Sequence, residues 1–180
     1  MMRRILVSQF VTLDGVMEAP EKWNSTYASD PEVVASVLAD FSASDQLLLG
    51  RTSYELFAAR WPSRTGQMAD YFNNLPKLVV SSSLQTPAWN NTTVIKGSTM
   101  VEIRKLKERP GKNILVFGSY QLVQTLRKEN LVDEYKLYVY PLVLGKGKRL
   151  FEQGEQTLRL ITAKQFASGV ISATYRTEKI

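Results

Sequence analysis

The 180-residue chain contains neither cysteine nor histidine. Without cysteine it cannot form a disulfide, a thiolate metal site or a thiol nucleophile. Without histidine it has no imidazole acid or base and no histidine-liganded zinc or iron site. An enzyme made from this sequence must therefore work with carboxylates, hydroxyls, amines, backbone dipoles or a bound cofactor, and we predict no metal site.

Long apolar runs are missing as well. The first run, Ile5 to Val7, ends at Ser8 and is too short for a signal peptide or a membrane-spanning helix. We therefore expect a cytoplasmic protein without a membrane partner. The length predicts a single domain over residues 1–180, and a hydrophobic fraction of 44% is ordinary for a soluble globular protein.

Positive charge is in excess, with 23 Lys+Arg against 17 Asp+Glu and a formal net charge of +6. Such a field attracts anionic partners, among them nucleic acids and phosphorylated small molecules. A nucleic-acid-binding domain is one alternative, based on this charge, on the basic stretch 145–149 and on Tyr138 and Tyr140, which we expect to be exposed. Because the basic residues are dispersed along the chain, we favour a small-molecule substrate and no nucleic-acid partner.

The order of the predicted elements favours an α/β fold with three layers, α/β/α. An apolar strand over residues 4–11 is followed by alternating helices and strands, and alternation predicts parallel pairing. From Asp133 the apolar period changes to two, and two final strands are predicted over 156–166 and 170–177. We therefore expect a mixed, mainly parallel sheet with antiparallel C-terminal strands.

Three predicted helices begin with capping signals. Asp30 precedes a proline, the pattern of an N-cap followed by proline at the first helical position. Thr52 with Glu55, and Thr99 with Glu102, have the spacing of capping boxes.

Two junctions share one form, in which a buried strand leads through a glycine and a hydroxyl residue into a helix. They are Gly50-Arg51-Thr52 and Gly118-Ser119. The first N–H groups of a helix lack internal partners and carry about half a positive charge, so an anion can satisfy them. Two such junctions indicate a ligand with two or more phosphates, such as a dinucleotide. The alternative is ordinary cap chemistry, which every strand-to-helix turn needs.

Polar residues also follow other strands. The serines Ser81 and Ser82 suit a phosphate monoester, such as the 2′-phosphate of an NADP-type ribose, or form a solvated turn. Asp14 belongs to a tight turn or lies beside a reacting ring. Glu134 is a candidate proton relay at a strand entrance or a solvated side chain. Trp23 is a packing residue or lines a pocket.

Several motifs resemble one enzyme family. The run Leu-Gly-Arg-Thr-Ser-Tyr-Glu at 49–55 resembles the Gly-Arg-x-Thr-aromatic-Glu motif of dihydrofolate reductases. The wider pattern is similar to the C-terminal reductase domain of bifunctional riboflavin-biosynthesis deaminase–reductases and to its stand-alone bacterial relatives. The matching pieces occur in family order at 11–16, 49–52, 79–84, 115–119, 131–134 and 141–147.

This resemblance implies a dihydrofolate-reductase-like fold, an NADPH cofactor and a homodimer. Carried over by position, the cofactor contacts are Thr12, Gly15, Gly50, Arg51, Thr52, Ser81, Ser82, Phe117, Gly118, Ser119 and Tyr120. Asp14 and Glu134 are the candidate catalytic proton donors, and Trp23 and Tyr54 are the candidate substrate contacts.

The implied activity is the NADPH-dependent reduction of 5-amino-6-(5-phosphoribosylamino)uracil, with hydride transfer to a small heterocyclic or ribosylamino substrate. A pterin reductase of the dihydrofolate reductase type is the alternative. Those enzymes place a carboxylate on the inward face of the first helix, where this chain has Val33, Val34 and Val37. That departure argues against folate reduction.

Overall fold

The computed structural model describes residues 3–27, 30–152 and 154–178. Its strands are β1 (Ile5–Thr12), β2 (Ser44–Gly50), β3 (Lys77–Val80), β4 (Thr92–Ile95), β5 (Asn113–Phe117), β6 (Glu134–Tyr140), β7 (Leu158–Gln165) and β8 (Ile171–Thr177). Its α-helices are α1 (Pro31–Ser42), α2 (Arg51–Ala58), α3 (Gln67–Asn74), α4 (Thr99–Glu108) and α5 (Tyr120–Lys128). In the described ranges no helix is long and apolar enough to cross a membrane.

The eight strands form one sheet in the order β4-β3-β2-β5-β1-β6-β8-β7. The first six strands in this order pair in parallel, and β8 is antiparallel to both β6 and β7. The predicted mixed, mainly parallel sheet with antiparallel C-terminal strands is therefore confirmed. Strand β5 lies between β2 and β1, although both precede it in the chain.

Each face of the sheet has its own apolar core, because successive side chains of a strand point to opposite faces. On one face Val7 packs with side chains of α4 and α5, including Ile103 and Val123. On the other face Leu6 packs with side chains of α1 and α3, including Phe41. The three layers predicted from the sequence are thus observed.

The second core contains Tyr138 and Tyr140, whose exposed fractions are 0% and 1%. The expectation that these two tyrosines are exposed is therefore wrong. The β6 residues that point to the opposite face, Tyr135, Leu137 and Val139, are buried or half-buried, because β1 and β8 flank this strand and helices pack on it.

One of the three capping predictions is confirmed. Asp30 Oδ1 accepts hydrogen bonds from the first free amides of α1 at 2.9 and 3.3 Å. Helix α2, however, begins at Arg51 after Gly50, so Thr52 is already inside the helix and makes no cap hydrogen bond. Helix α4 begins at Thr99 after Ser98, again one residue too early for a capping box.

Helix α3 has no counterpart among the predicted elements, and a buried lysine just beyond its end bonds carbonyl groups there. Lys77 is fully buried, and its Nζ donates hydrogen bonds to the carbonyl groups of Phe72, Asn73 and Leu75 at 2.8, 3.2 and 2.8 Å. The same Nζ lies 4.3 Å from the centre of the Trp89 ring. The lysine thereby satisfies carbonyl groups that the end of a helix leaves without partners.

We expect Lys77 to make stability depend on pH in the alkaline range. Burial lowers the pKa of Lys77 to about 8, whereas an unfolded chain has a lysine pKa of about 10.4. Between these values the unfolded chain binds a proton that the folded protein has released, so the free energy of unfolding rises with pH. Urea titrations across this window should show the wild type gaining about 1–3 kcal/mol relative to Lys77→Met. An identical pH dependence in both proteins would contradict this assignment.

Candidate active site

A cleft of about 1300 Å³ lies at the carboxyl ends of the parallel strands. Strands β1, β2, β3 and β5 reach it through Phe10, Gly50, Val80 and Phe117. Because β5 is inserted between β2 and β1, the chain continues from β2 to β3 toward one edge of the sheet, and from the neighbouring β5 to β6 toward the other edge. Ligands of open α/β sheets bind at such positions.

The two glycine-led junctions meet in this cleft. The N–H of Gly50 donates a hydrogen bond to Ser119 Oγ over 2.8 Å, which joins the turn after β2 to the turn after β5. Gly118 and Ser119 both have left-handed backbone conformations, with φ of 81° and 69°. A Cβ atom on Gly118 would lie 3.2 Å from Ser53 Oγ, closer than an ordinary contact.

Both helices that start at these junctions lack a side-chain cap. Helices α2 and α5 begin without a cap hydrogen bond from a side chain, whereas Asp30 caps α1. Thr52 and Gln121, from the first turns of α2 and α5, line the cleft. The positive ends of two helices therefore face the same space, which favours a ligand with more than one negative charge.

Arg51 lies on the β3 side of the cleft, beside the serines. Its Nη1 donates a hydrogen bond to Ser83 Oγ at 2.5 Å, and its Nε donates to Glu55 Oε1 at 2.6 Å. Ser81 Oγ accepts a hydrogen bond from the N–H of Leu84 at 3.0 Å and so fixes the turn after β3. A guanidinium group held among hydroxyl groups is suited to a phosphate monoester.

Most of the predicted cofactor contacts are thus brought together. The cleft is lined by nine of them, namely Gly50, Arg51, Thr52, Ser81, Ser82, Phe117, Gly118, Ser119 and Tyr120. The two others lie at the same end of the sheet but outside the cleft wall, Thr12 as the last residue of β1 and Gly15 in the turn that follows.

Asp14 holds the turn after β1 in place. Its carboxylate accepts a hydrogen bond from Thr12 Oγ1 at 2.6 Å and from the N–H groups of Leu144 and Gly145 at 3.2 and 2.9 Å. It also pairs with Arg149 at 3.4 Å. The hydrogen bond from Thr12, more than those from the backbone, lowers the pKa of Asp14 to about 2. Such a carboxylate carries no proton near neutral pH, so we do not assign it the role of proton donor.

Glu134 lies at the other end of the sheet. It is the first residue of β6 and pairs with Leu6, whereas Phe10, four residues further along β1, lines the cleft. Four residues of a strand span about 13 Å. The Glu134 carboxylate accepts hydrogen bonds from Arg4 and Arg176 at 3.0 and 2.7 Å. This position separates Glu134 from the cleft, and we do not carry the proton-relay hypothesis further.

The predicted substrate contacts lie behind or beside the cleft wall. Tyr54 is only 4% exposed, and its hydroxyl accepts a hydrogen bond from the N–H of Trp89 at 3.1 Å. Its ring therefore belongs to the core and is not positioned as a substrate contact. Trp23 packs edge-on against Tyr140 with 5.4 Å between ring centres, and Tyr140 lines the cleft. Trp23 is thus one layer away from the cleft.

Aromatic rings form one side of the cleft around Phe72. This ring stacks on Trp61 with 4.3 Å between centres and contacts Phe41 and Phe57 at 4.7 and 5.1 Å. Phe117, the last residue of β5, lies 6.0 Å away. Phe72 is 1% exposed, so the rings that face the cleft are supported from beneath by a buried one.

The cleft also contains residues that the motifs did not mark. Gln9 lies in its floor, and Met17 and Met68 add apolar surface. The one available signal for Gln9 was a polar side chain inside a strand of apolar residues, since a buried polar group needs a reason.

Residues 3–172 match the family model of the RibD C-terminal domain. The chain belongs to this family. Two relatives of this RibD C-terminal domain protein occur in Bacillus subtilis (strain 168), the uncharacterized proteins YyaP and YwjB. YyaP is 34% identical over 96% of this chain and 94% of its own length. YwjB is 28% identical over 94% of this chain and 96% of its own length.

Solved structures share the fold of this RibD C-terminal domain. A candidate riboflavin biosynthesis protein from Shewanella sp. PV-4 matches with a TM-score of 0.79 and 19% identity, over 99% of this chain and 100% of that one. A pyrimidine reductase-like protein from Corynebacterium diphtheriae matches with a TM-score of 0.70 and 12% identity, over 99% of this chain and 93% of that one. RibD of Acinetobacter baumannii matches with a TM-score of 0.65 and 14% identity, over 99% of this chain and 59% of that one. The predicted family and the dihydrofolate-reductase-like α/β fold are confirmed.

Proposed function

We propose that this protein is an NADPH-dependent reductase, similar to 5-amino-6-(5-phosphoribosylamino)uracil reductase, acting on a small heterocyclic or ribosylamino substrate. The observation that carries the proposal is the meeting of the Gly50 and Gly118 junctions in one cleft, where Gly50 N–H is bonded to Ser119 Oγ. Membership of the RibD C-terminal domain family supports it. A bound nicotinamide cofactor would supply the hydride, which suits a chain without histidine or cysteine.

The residues present fit the diphosphate of a dinucleotide. Gly118 has no side chain, so a phosphate can approach its backbone closely, and Ser53 and Phe57 border the position that a Cβ atom would take. Ser119 Oγ accepts its hydrogen bond from Gly50, so its own proton remains available for a phosphate oxygen. On the β3 side, Arg51 with Ser81 and Ser82 would hold the additional phosphate of NADPH.

The other half of the cleft is mainly apolar and suits a flat heterocycle. It is lined by Phe10, Val33, Val37 and Trp61, among others. Apolar walls with few polar groups are typical of small-molecule sites. Substrate bound there would lie against the face of α1.

Helix α1 has one inward carboxylate, Asp40, which lies outside the cleft lining. It accepts hydrogen bonds from Ser8 and Tyr138 at 2.9 Å each, and from Lys136 at 2.7 Å. Burial raises the pKa of Asp40, and these partners oppose the shift. Because Asp40 is fully engaged away from the cleft, we favour the reductase of the riboflavin type over the pterin reductase.

The alternative of a nucleic-acid-binding domain depended in part on Tyr138 and Tyr140. Because both tyrosines are buried, they cannot stack on bases. We therefore propose a small-molecule substrate. Homodimer formation stays a prediction from the family resemblance.

The most direct test of the function is an NADPH oxidation assay with uracil, pterin and folate substrates. We expect turnover of 5-amino-6-(5-phosphoribosylamino)uracil, or of a closely related ribosylamino heterocycle, and none of dihydrofolate. Binding of NADPH without turnover of any of these compounds would contradict the proposed substrate class, and absence of NADPH binding would contradict the reductase itself.

Arg51 should determine the preference for NADPH over NADH. We expect Arg51→Ala to weaken NADPH binding about tenfold, since hydrogen bonds to charged groups contribute about 1.5 kcal/mol or more, and to leave NADH binding unchanged. Fluorescence titrations with both dinucleotides measure this. Arg104→Ala is the matched control, because Arg51 and Arg104 are half exposed and each pairs with one glutamate. Equal affinities of the wild type for NADPH and NADH would contradict the placement of the extra phosphate.

A further inference from the structure

Gln9 is a buried polar side chain in the floor of the cleft. It is 4% exposed, and it lies on the same face of β1 as Val7 and Val11. Its Nε2 donates a hydrogen bond to the carbonyl oxygen of Gly118 over 2.9 Å. Gln9 therefore reaches from β1 to the turn after the neighbouring strand β5, next to the proposed diphosphate site.

This hydrogen bond fixes which way the amide of Gln9 faces. A carbonyl oxygen can only accept, so the NH₂ group must point to Gly118 and the Oε1 must point elsewhere. Among the described residues none donates a hydrogen bond to Oε1, and Gln9 lines the cleft. The floor of the cleft thus presents an acceptor that cannot turn into a donor without breaking the bond to Gly118.

An acceptor in this position selects the ligand that covers it. When a ligand displaces water from the cleft, a buried acceptor without a donor costs free energy, so the ligand must place an N–H or O–H donor there. The group must also lie close to the diphosphate turn, because Gln9 is bonded to Gly118. The apolar side chain of Met17, which lies in the same core as Val7 and Val11 and lines the cleft, favours a flat ring beside that donor group.

We propose that Gln9 Oε1 accepts a hydrogen bond from the carboxamide NH₂ of the nicotinamide ring, an inference that rests on the proposed function. The additional phosphate of NADPH belongs to the adenosine half, and Arg51 and the serines hold it on the β3 side. The nicotinamide half then extends from the diphosphate toward β1, where Gln9 lies. Gln9 thereby fixes the orientation of the ring, and its bond to Gly118 links that orientation to the diphosphate turn.

The experiment compares the binding of NADP⁺ with that of its 3-acetylpyridine analogue, in which a methyl group replaces the carboxamide NH₂. We expect the wild type to bind NADP⁺ about fivefold more tightly, the effect of one neutral hydrogen bond. In Gln9→Met the ratio of the two dissociation constants, that of the analogue divided by that of NADP⁺, should fall to about one. In Gln9→Glu both ligands should bind more weakly, because the bond to Gly118 is lost, but the preference for NADP⁺ should remain. Titration calorimetry provides the dissociation constants.

The ratio of the dissociation constants distinguishes recognition of the carboxamide from support of the Gly118 turn. A loosened turn would weaken the binding of both ligands equally and leave the ratio unchanged. Gln124→Met is the control. The Gln124 Nε2 also donates to a backbone carbonyl, that of Leu150 at 2.9 Å, but Gln124 lies outside the cleft lining. We expect it to keep the wild-type ratio.

Equal affinities of the wild type for the two ligands would overturn the proposal, as would an unchanged ratio in Gln9→Met. Either result would leave dinucleotide binding itself intact. If the wild type bound neither dinucleotide, the proposed function would fail and this inference with it.

Discussion

The substitution Gly118→Val should abolish binding of NADPH, with an affinity loss of more than a hundredfold. At φ 81° a β-branched residue is strained, and its Cβ would already lie 3.2 Å from Ser53 Oγ. The added methyl groups must then enter the cleft or displace the start of α2, and both outcomes close the space for a diphosphate. Fluorescence titration with NADPH measures the loss.

Gly154→Val is the matched control for backbone strain. Gly154 has a φ of 79°, no atom within 4 Å of its Cβ position, and a place outside the cleft. Both variants should lose stability because of the left-handed backbone, about 1–2 kcal/mol, but only Gly118→Val should lose the cofactor. Unchanged NADPH affinity in a folded Gly118→Val protein would refute the diphosphate site.

Phe72→Ala should lower the free energy of unfolding by about 3–5 kcal/mol, the usual cost of removing a buried phenyl ring. Phe72 contacts Phe41, Phe57 and Trp61, so its removal leaves a cavity that several rigid rings border. Rings cannot collapse into such a space without moving away from the cleft. Urea unfolding followed by tryptophan fluorescence measures the change.

Phe151→Ala provides the comparison, since Phe151 is 42% exposed and also contacts an aromatic ring, that of Tyr135. We expect it to cost about 1 kcal/mol or less. Similar losses in both variants would show that the Phe72 ring does not support the cleft. In Phe72→Ala the affinity for NADPH should also fall, because Phe57 and Phe117 line the cleft and pack against Phe72.

The strands and the two glycine junctions could be predicted because their signals are local. The apolar runs before Gly50 and Gly118 identify buried strands, and a glycine followed by a hydroxyl residue identifies the turn. The meeting of these turns in one cleft depends on the insertion of β5 between β2 and β1. No local pattern specifies that order.

Other features depend on partners far along the chain. The role of Asp14 follows from amides and an arginine more than a hundred positions away, and that of Glu134 from Arg4 and Arg176. Helix α3 has only two buried residues in its eight, Ala69 and Phe72, too few for a clear helical period. The capping boxes were wrong because a shift of one residue in a helix start removes the geometry that a box needs.

The insertion of β5 also has a consequence for how the protein is made. The hydrogen bond between Gly50 and Ser119 joins positions 69 residues apart, so the first half of the site is synthesised well before the second. Until β5 arrives, β1 and β2 have no common neighbour, and the sheet has a gap at its centre. Binding of the proposed dinucleotide by a nascent chain would therefore show that β5 has inserted between β2 and β1.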